Sequence, residues 1–137
     1  MSAGTLLPLL HPLLGALAVC AVFFVGLRGL RSRRPRPDAA ASRAFHRRYA
    51  PAALGLVGLS WLGGISSVAL LREDLDPAGS WHFVVASTVL TVMVGLWLRS
   101  PERTGHAPRA VAQHVAAGFF TMLAAILTAT LGLGLLP

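Results

Sequence analysis

The chain has one cysteine, five acidic residues and no lysine. A lone cysteine, Cys20, forms no internal disulfide and belongs to no cysteine-based metal spacing. It stands inside an apolar run and reads as a small membrane-buried side chain. Val19 stands where a lipobox has a small residue, and "MSAGTLLPLL" carries no positive charge, so neither a lipoprotein nor a lone cleavable signal is expected. The five acids are Asp38, Glu73, Asp74, Asp76 and Glu102, and all fall between apolar runs. That leaves no carboxylate within a span for proton relay. No hydrolytic or group-transfer constellation is present, and no Gly-rich phosphate loop follows a strand. All twelve basic residues are arginines, a bias that hints at a GC-rich bacterial gene and an inner-membrane home.

What fills the space is apolar sequence. Hydrophobic residues make up 55% of the 137 positions, charged ones only 12%, and mean hydropathy is +0.67, far from soluble averages. A helix needs about 20 apolar residues to cross the roughly 30 Å hydrocarbon layer. Four stretches meet that length, at about residues 11–29, 49–71, 81–98 and 111–136. Pro12 suits the first turn of the first, and the second can extend backwards through "ASRAFHRR". Hydrocarbon offers no partner to open backbone groups, so the spans are expected to be helices. The expected fold is all-α, a single integral-membrane domain over residues 1–137 built as a four-helix up-and-down bundle.

The connections set the orientation. Eight arginines lie between Arg28 and Arg48, and Arg99, Arg103 and Arg109 flank the third connection. The second connection, "REDLDPAGS", has only Arg72, against Glu73, Asp74 and Asp76. Eleven arginines on one side against one on the other put the first and third loops in the cytoplasm and both termini on the non-cytoplasmic side. Trp81 and Trp97 stand at opposite ends of the third span, as interfacial aromatics do. The Pro/Arg-rich segment Arg33 to Pro37 is placed to touch anionic lipid. Because the basic residues sit between apolar runs rather than on one exposed face, no nucleic-acid partner is expected.

The polar residues that remain are histidines. His106 falls in the polar third loop. The other four come one per span: His11, His46, His82 and His114, spaced 35, 36 and 32 residues apart. An imidazole in hydrocarbon needs a partner for its ring nitrogens. Alternating helix direction puts His11 with His82 in one layer and His46 with His114 in the other. Each pair joins alternate helices, which lie on the diagonal of a four-helix ring. Two imidazoles on a diagonal can bind one flat macrocycle from both sides, and bis-imidazole ligation is a haem b arrangement suited to electron transfer. One turn after each histidine stands a small residue, Gly15, Ala50, Ala86 and Gly118, on the same helix face. These leave room for a porphyrin against the backbone. Arg47, Arg48 and Arg109 in one layer and Arg72 in the other are candidates for haem propionates, since guanidinium pairs with carboxylate in fork geometry.

This pattern resembles the two-haem membrane cytochromes that include the b561-type proteins, and within them a small four-span domain family of unknown function. The matching segments are "HPLLG" opening the first span, "FHRRYAP" leading into the second, "SWHF" opening the third and "AQHVAAG" opening the fourth. They cover about residues 11–135. The resemblance implies two haems b stacked across the membrane, one held by His11 and His82 and the other by His46 and His114. It also implies transfer of electrons between a donor on one face and an acceptor on the other. The b561-type proteins with six spans bind ascorbate near their haems; this sequence has only the four-span core and no recognisable ascorbate site.

The expected role is thus an electron-transfer protein or redox-complex subunit rather than a stand-alone enzyme, working with a redox partner protein or a quinone, alone or within a larger membrane complex. A reading of another class is a structural or assembly subunit whose histidines bind a chlorophyll-type pigment, a single haem, or nothing. A histidine-lined metal transporter fits less well, because it wants a continuous polar path and the spans are too apolar. The glycines of "LGLVGLSWLGG" and "LGLGLLP" read as helix-packing surfaces. Ser60, Ser66, Ser67, Thr88, Thr91, Thr121 and Thr128 can bond locally within their helices.

Overall fold

The computed structural model describes residues 3–71, 76–101 and 107–135, with side chains from Leu10 onward apart from those of residues 71 and 77. Four helices form: α1 (Ala3–Arg31), α2 (Ala39–Leu71), α3 (Trp81–Leu98) and α4 (Pro108–Leu133). Each contains a window long and apolar enough to cross a membrane. α3 is the shortest; its 18 residues rise about 27 Å, close to the hydrocarbon thickness.

Local chemistry accounts for several ends. The Ser80 hydroxyl accepts from the Phe83 amide at 3.1 Å, capping α3 at its start. At the other end the Arg99 amide closes on the Gly95 carbonyl, and Pro101 follows, which disfavours helix at Ser100. Pro108 opens α4, where its missing N–H costs nothing. α1 departs from the sequence expectation. It begins at Ala3, so Pro12 lies nine residues in rather than in the first turn. A proline inside a membrane helix is tolerated because neighbouring groups take up the freed carbonyl, and α2 likewise carries Pro51. α2 also starts ten residues before the expected span, at Ala39, and α4 ends at Leu133.

α1 packs on α2 and α4, and α3 packs on α2 and α4, so the helices stand in sequence order around a ring with α1/α3 and α2/α4 on the diagonals. Closest packing is within the hairpins α1–α2 and α3–α4; the seam between α2 and α3 is the loosest. That seam is bridged by the Trp61 indole N–H donating to Ser87 Oγ at 2.9 Å, with the Trp61 and Phe83 rings stacked at 6.0 Å.

The small core sits at mid-height, where Val22, Met122 and Ala125 are buried, with Val19, Phe23, Val57 and Met93 around them. The periphery is apolar. Leu13, Leu17 and Phe24 on α1, Leu59 and Leu62 on α2, and Phe120 and Leu123 on α4 are all exposed. Such a surface is incompatible with water and suits lipid. Cys20 also faces outward, so its apolar surroundings are those of the bundle exterior. Thr88, Thr91, Thr121 and Thr128 each bond the carbonyl four residues back, as expected.

Candidate cofactor-binding sites

The ring order brings the four histidines together in two pairs. The rings of His11 and His82, from the diagonal helices α1 and α3, have centroids 6.0 Å apart with planes at 84°. Those of His46 and His114, from α2 and α4, are 6.3 Å apart at 89°. Each pair lines a cavity at one end of the bundle. The His11/His82 cavity has about 470 Å³ and the His46/His114 cavity about 430 Å³. Both fall within the roughly 300–1,000 Å³ of small-molecule and cofactor clefts. Val22 lines both, so the buried cluster around it separates one cavity from the other.

The imidazoles are oriented by backbone. His11 Nδ1 donates to the Ser60 carbonyl at 3.1 Å, His46 Nδ1 to the Val25 carbonyl at 2.9 Å, and His82 Nδ1 to the Thr128 carbonyl at 2.9 Å. A carbonyl can only accept, so in all three the proton sits on Nδ1 and the lone pair on Nε2. That is the tautomer of a metal ligand whose second nitrogen is held by an acceptor.

Each of these rings also lies against a glycine of the same neighbouring helix. A Cβ at Gly64 would stand 2.8 Å from His11 Cε1, one at Gly29 2.8 Å from His46 Nδ1, and one at Gly132 2.9 Å from His82 Cε1. Gly64 and Gly132 therefore serve the histidines rather than general helix packing. Of the other glycines in the same motifs, Gly58 touches Leu90, while Gly55 and Gly63 face open space. Sequence reading passed over this role. A signal existed: His11 to Gly29, His46 to Gly64 and His114 to Gly132 are each 18 residues apart, five turns of about 3.6 residues. Histidine and glycine thus share one face at opposite ends of a helix, and antiparallel neighbours exchange them.

The small residues one turn after the histidines line the cavities, Gly15 and Ala86 one, Ala50 and Gly118 the other. A Cβ at Gly118 would meet nothing within 4 Å. Charge differs between the two sites. Arg33, Arg43 and Arg47 line the His46/His114 cavity. Arg48 turns instead toward the Tyr49 ring, 5.5 Å from its centroid. Arg109, in the first turn of α4, is exposed and does not line the cavity. In the His11/His82 cavity Asp76 is the one acidic lining residue among those described. Arg72 and His106 lie outside the described residues.

Among the described residues no cluster of three or more His, Cys, Asp or Glu converges; each site brings two imidazoles together. Comparison with protein-family models, curated proteins and solved structures finds no match to this chain.

Proposed function

We propose that this chain carries electrons across a membrane through two b-type haems, one between His11 and His82 and the other between His46 and His114. The observation that carries the reading is the ring separation. A metal–imidazole bond is about 2.0–2.1 Å, and the ring centroid lies about 1.1 Å behind the ligating nitrogen, so two trans ligands stand with centroids about 6.3 Å apart. The two pairs here measure 6.0 and 6.3 Å. The near-perpendicular ring planes, 84° and 89°, are compatible with two imidazoles sharing one metal, and a tetrapyrrole would supply the donors that the protein does not.

The chain's own groups have definable tasks. The four histidines would hold the two groups, two to each, and bis-imidazole ligation would leave no open site for oxygen chemistry. Gly15, Ala86, Ala50 and Gly118 keep the cavity walls thin. Arg47, with Arg43 and Arg33, lines the cavity beside His46 and would be the cationic partner for propionate carboxylates there. Bound haem supplies a reversible one-electron couple at each end of the bundle. The partners are a donor at one face and an acceptor at the other, each a redox protein or a quinone, with lipid around the bundle. The arginine distribution supports a cytoplasmic His46/His114 layer with both termini on the other side, and the all-arginine basic set supports a bacterial inner membrane as the home.

The test is a reduced-minus-oxidised spectrum of the detergent-purified protein with a haem-to-protein ratio. Two low-spin b-type haems per chain are expected. Bacteriochlorophyll bands, or a colourless folded protein, would replace this reading with that of a structural subunit.

A further inference from the structure

Three of the four paired imidazoles are held in the same way, and one geometric rule explains it. In a helix the carbonyl of residue i bonds the N–H of residue i+4 and keeps a second lone pair. The side chain at i+4 leans toward the helix N-terminus and covers the turn below its own Cα. Glycine at i+4 therefore bares the carbonyl at i. The acceptors and glycines here stand in that relation each time: Ser60 with Gly64, Val25 with Gly29, and Thr128 with Gly132.

We propose that Gly64, Gly29 and Gly132 are positioning residues that act through His11, His46 and His82. By baring one carbonyl each, they fix the Nδ1-protonated tautomer and turn Nε2 toward the cavity. An alanine Cβ at 2.8–2.9 Å from a ring atom cannot coexist with the ring where it stands. The ring must leave its carbonyl or the helices must part.

The brace also acts on electron affinity, and this half rests on the two-haem reading. A ligand imidazole that donates from its second nitrogen is more basic. Stronger donation to the metal favours the oxidised state, so the brace lowers the midpoint potential of the group it serves. Gly64 and Gly132 act on the His11/His82 group, and Gly29 on the His46/His114 group. The fourth place in the pattern, 18 residues after His82, is Ser100. It lies past the end of α3 yet lines the same cavity as His114.

Two measurements decide. The first uses the wild-type protein, purified, reduced and labelled with 15N-histidine. His11, His46 and His82 are expected to carry their proton on Nδ1, and an Nε2-protonated ring at any of them overturns the proposal. This readout does not depend on which group the cavities hold, so it stands even if no haem is found. The second is a potentiometric titration of Gly64→Ala against Gly63→Ala, whose new Cβ meets nothing within 4 Å. Gly64→Ala is expected to raise one of the two midpoints and leave the other, Gly29→Ala to raise the other, and Gly63→Ala to move neither. Identical titrations of the Gly64 and Gly63 variants would refute the positioning role.

Discussion

At the scale of single residues, a histidine in a span is stable only when both ring nitrogens are provided for, since a polar group desolvated without a partner costs several kcal/mol. In His82 the Thr128 carbonyl takes care of Nδ1, and the ring lines a cavity. If iron is what waits there, His82→Ala should lower the haem content from two per chain to one, read by a pyridine haemochrome assay. The His46/His114 site, at the far end of the bundle, should keep its group. Loss of both would mean that the sites assemble together. Space can be tested separately from ligation. Gly118 lines the second cavity, and a Cβ there would have no neighbour within 4 Å. Gly118→Leu therefore starts from an unobstructed Cβ beside the cavity and removes a helix-interior glycine, a gain of up to about 1 kcal/mol. The leucine fills the room beside His114, so the folded variant is expected to hold one haem, by the same assay. A variant that still holds two would mean that the macrocycle does not lie over Gly118.

At the scale of helices, the two cavities are kept apart by the way α4 meets α1. Met122 is buried at mid-height, and a Cβ at Gly26 would stand 2.6 Å from its Sδ. Glycine here is a matter of close approach. Met122→Ala opens a void between the cavities and is expected to cost about 2–4 kcal/mol, seen as a lower Tm in detergent with both histidine pairs retained. How far the helices could be read from sequence follows from what hydropathy encodes. α3 runs from Trp81 to Leu98, the limits its apolar run indicates, because a capping serine and a downstream proline bound it. α1 and α2 run past their apolar limits, to Ala3 and Ala39, because a helix need not stop where hydrocarbon does. The histidine pairs were legible because one imidazole per helix and alternating direction leave a single way to match levels. The glycines that hold them were not, since a small residue for helix packing and one baring a carbonyl look alike until the neighbouring helix is known. Only the 18-residue interval separates the two cases.

At the scale of the whole molecule, two sites 18 residues of helix apart, about 27 Å along the axis, reach from one interface toward the other. On the proposed function, transfer between them would move charge across most of the hydrocarbon, and orientation would decide whether the membrane potential opposes or assists it, at about 2.3 kcal/mol per charge per 100 mV. The bundle brings the start of α1 and the end of α4 to the same end, with His11, His82, Gly64 and Gly132 all meeting there. Arg28, Arg31, Arg33, Arg34 and Arg36 crowd the opposite end, in and after the last turn of α1. Arginine is retained in the cytoplasm during insertion, which predicts the sidedness. Cys20 faces outward among lipid-exposed groups, so Cys20→Ala should leave the fold intact and clear the background for single-cysteine labelling. In that background Ala78→Cys, in the short turn Pro77–Gly79, is expected to react with a membrane-impermeant maleimide on intact cells. Arg34→Cys, in the arginine-rich connection, should react only after the membrane is opened. The reverse pattern would exchange which histidine pair lies at the cytoplasmic face while leaving the histidine geometry untouched, because that geometry depends on helix order and not on which face meets the cytoplasm.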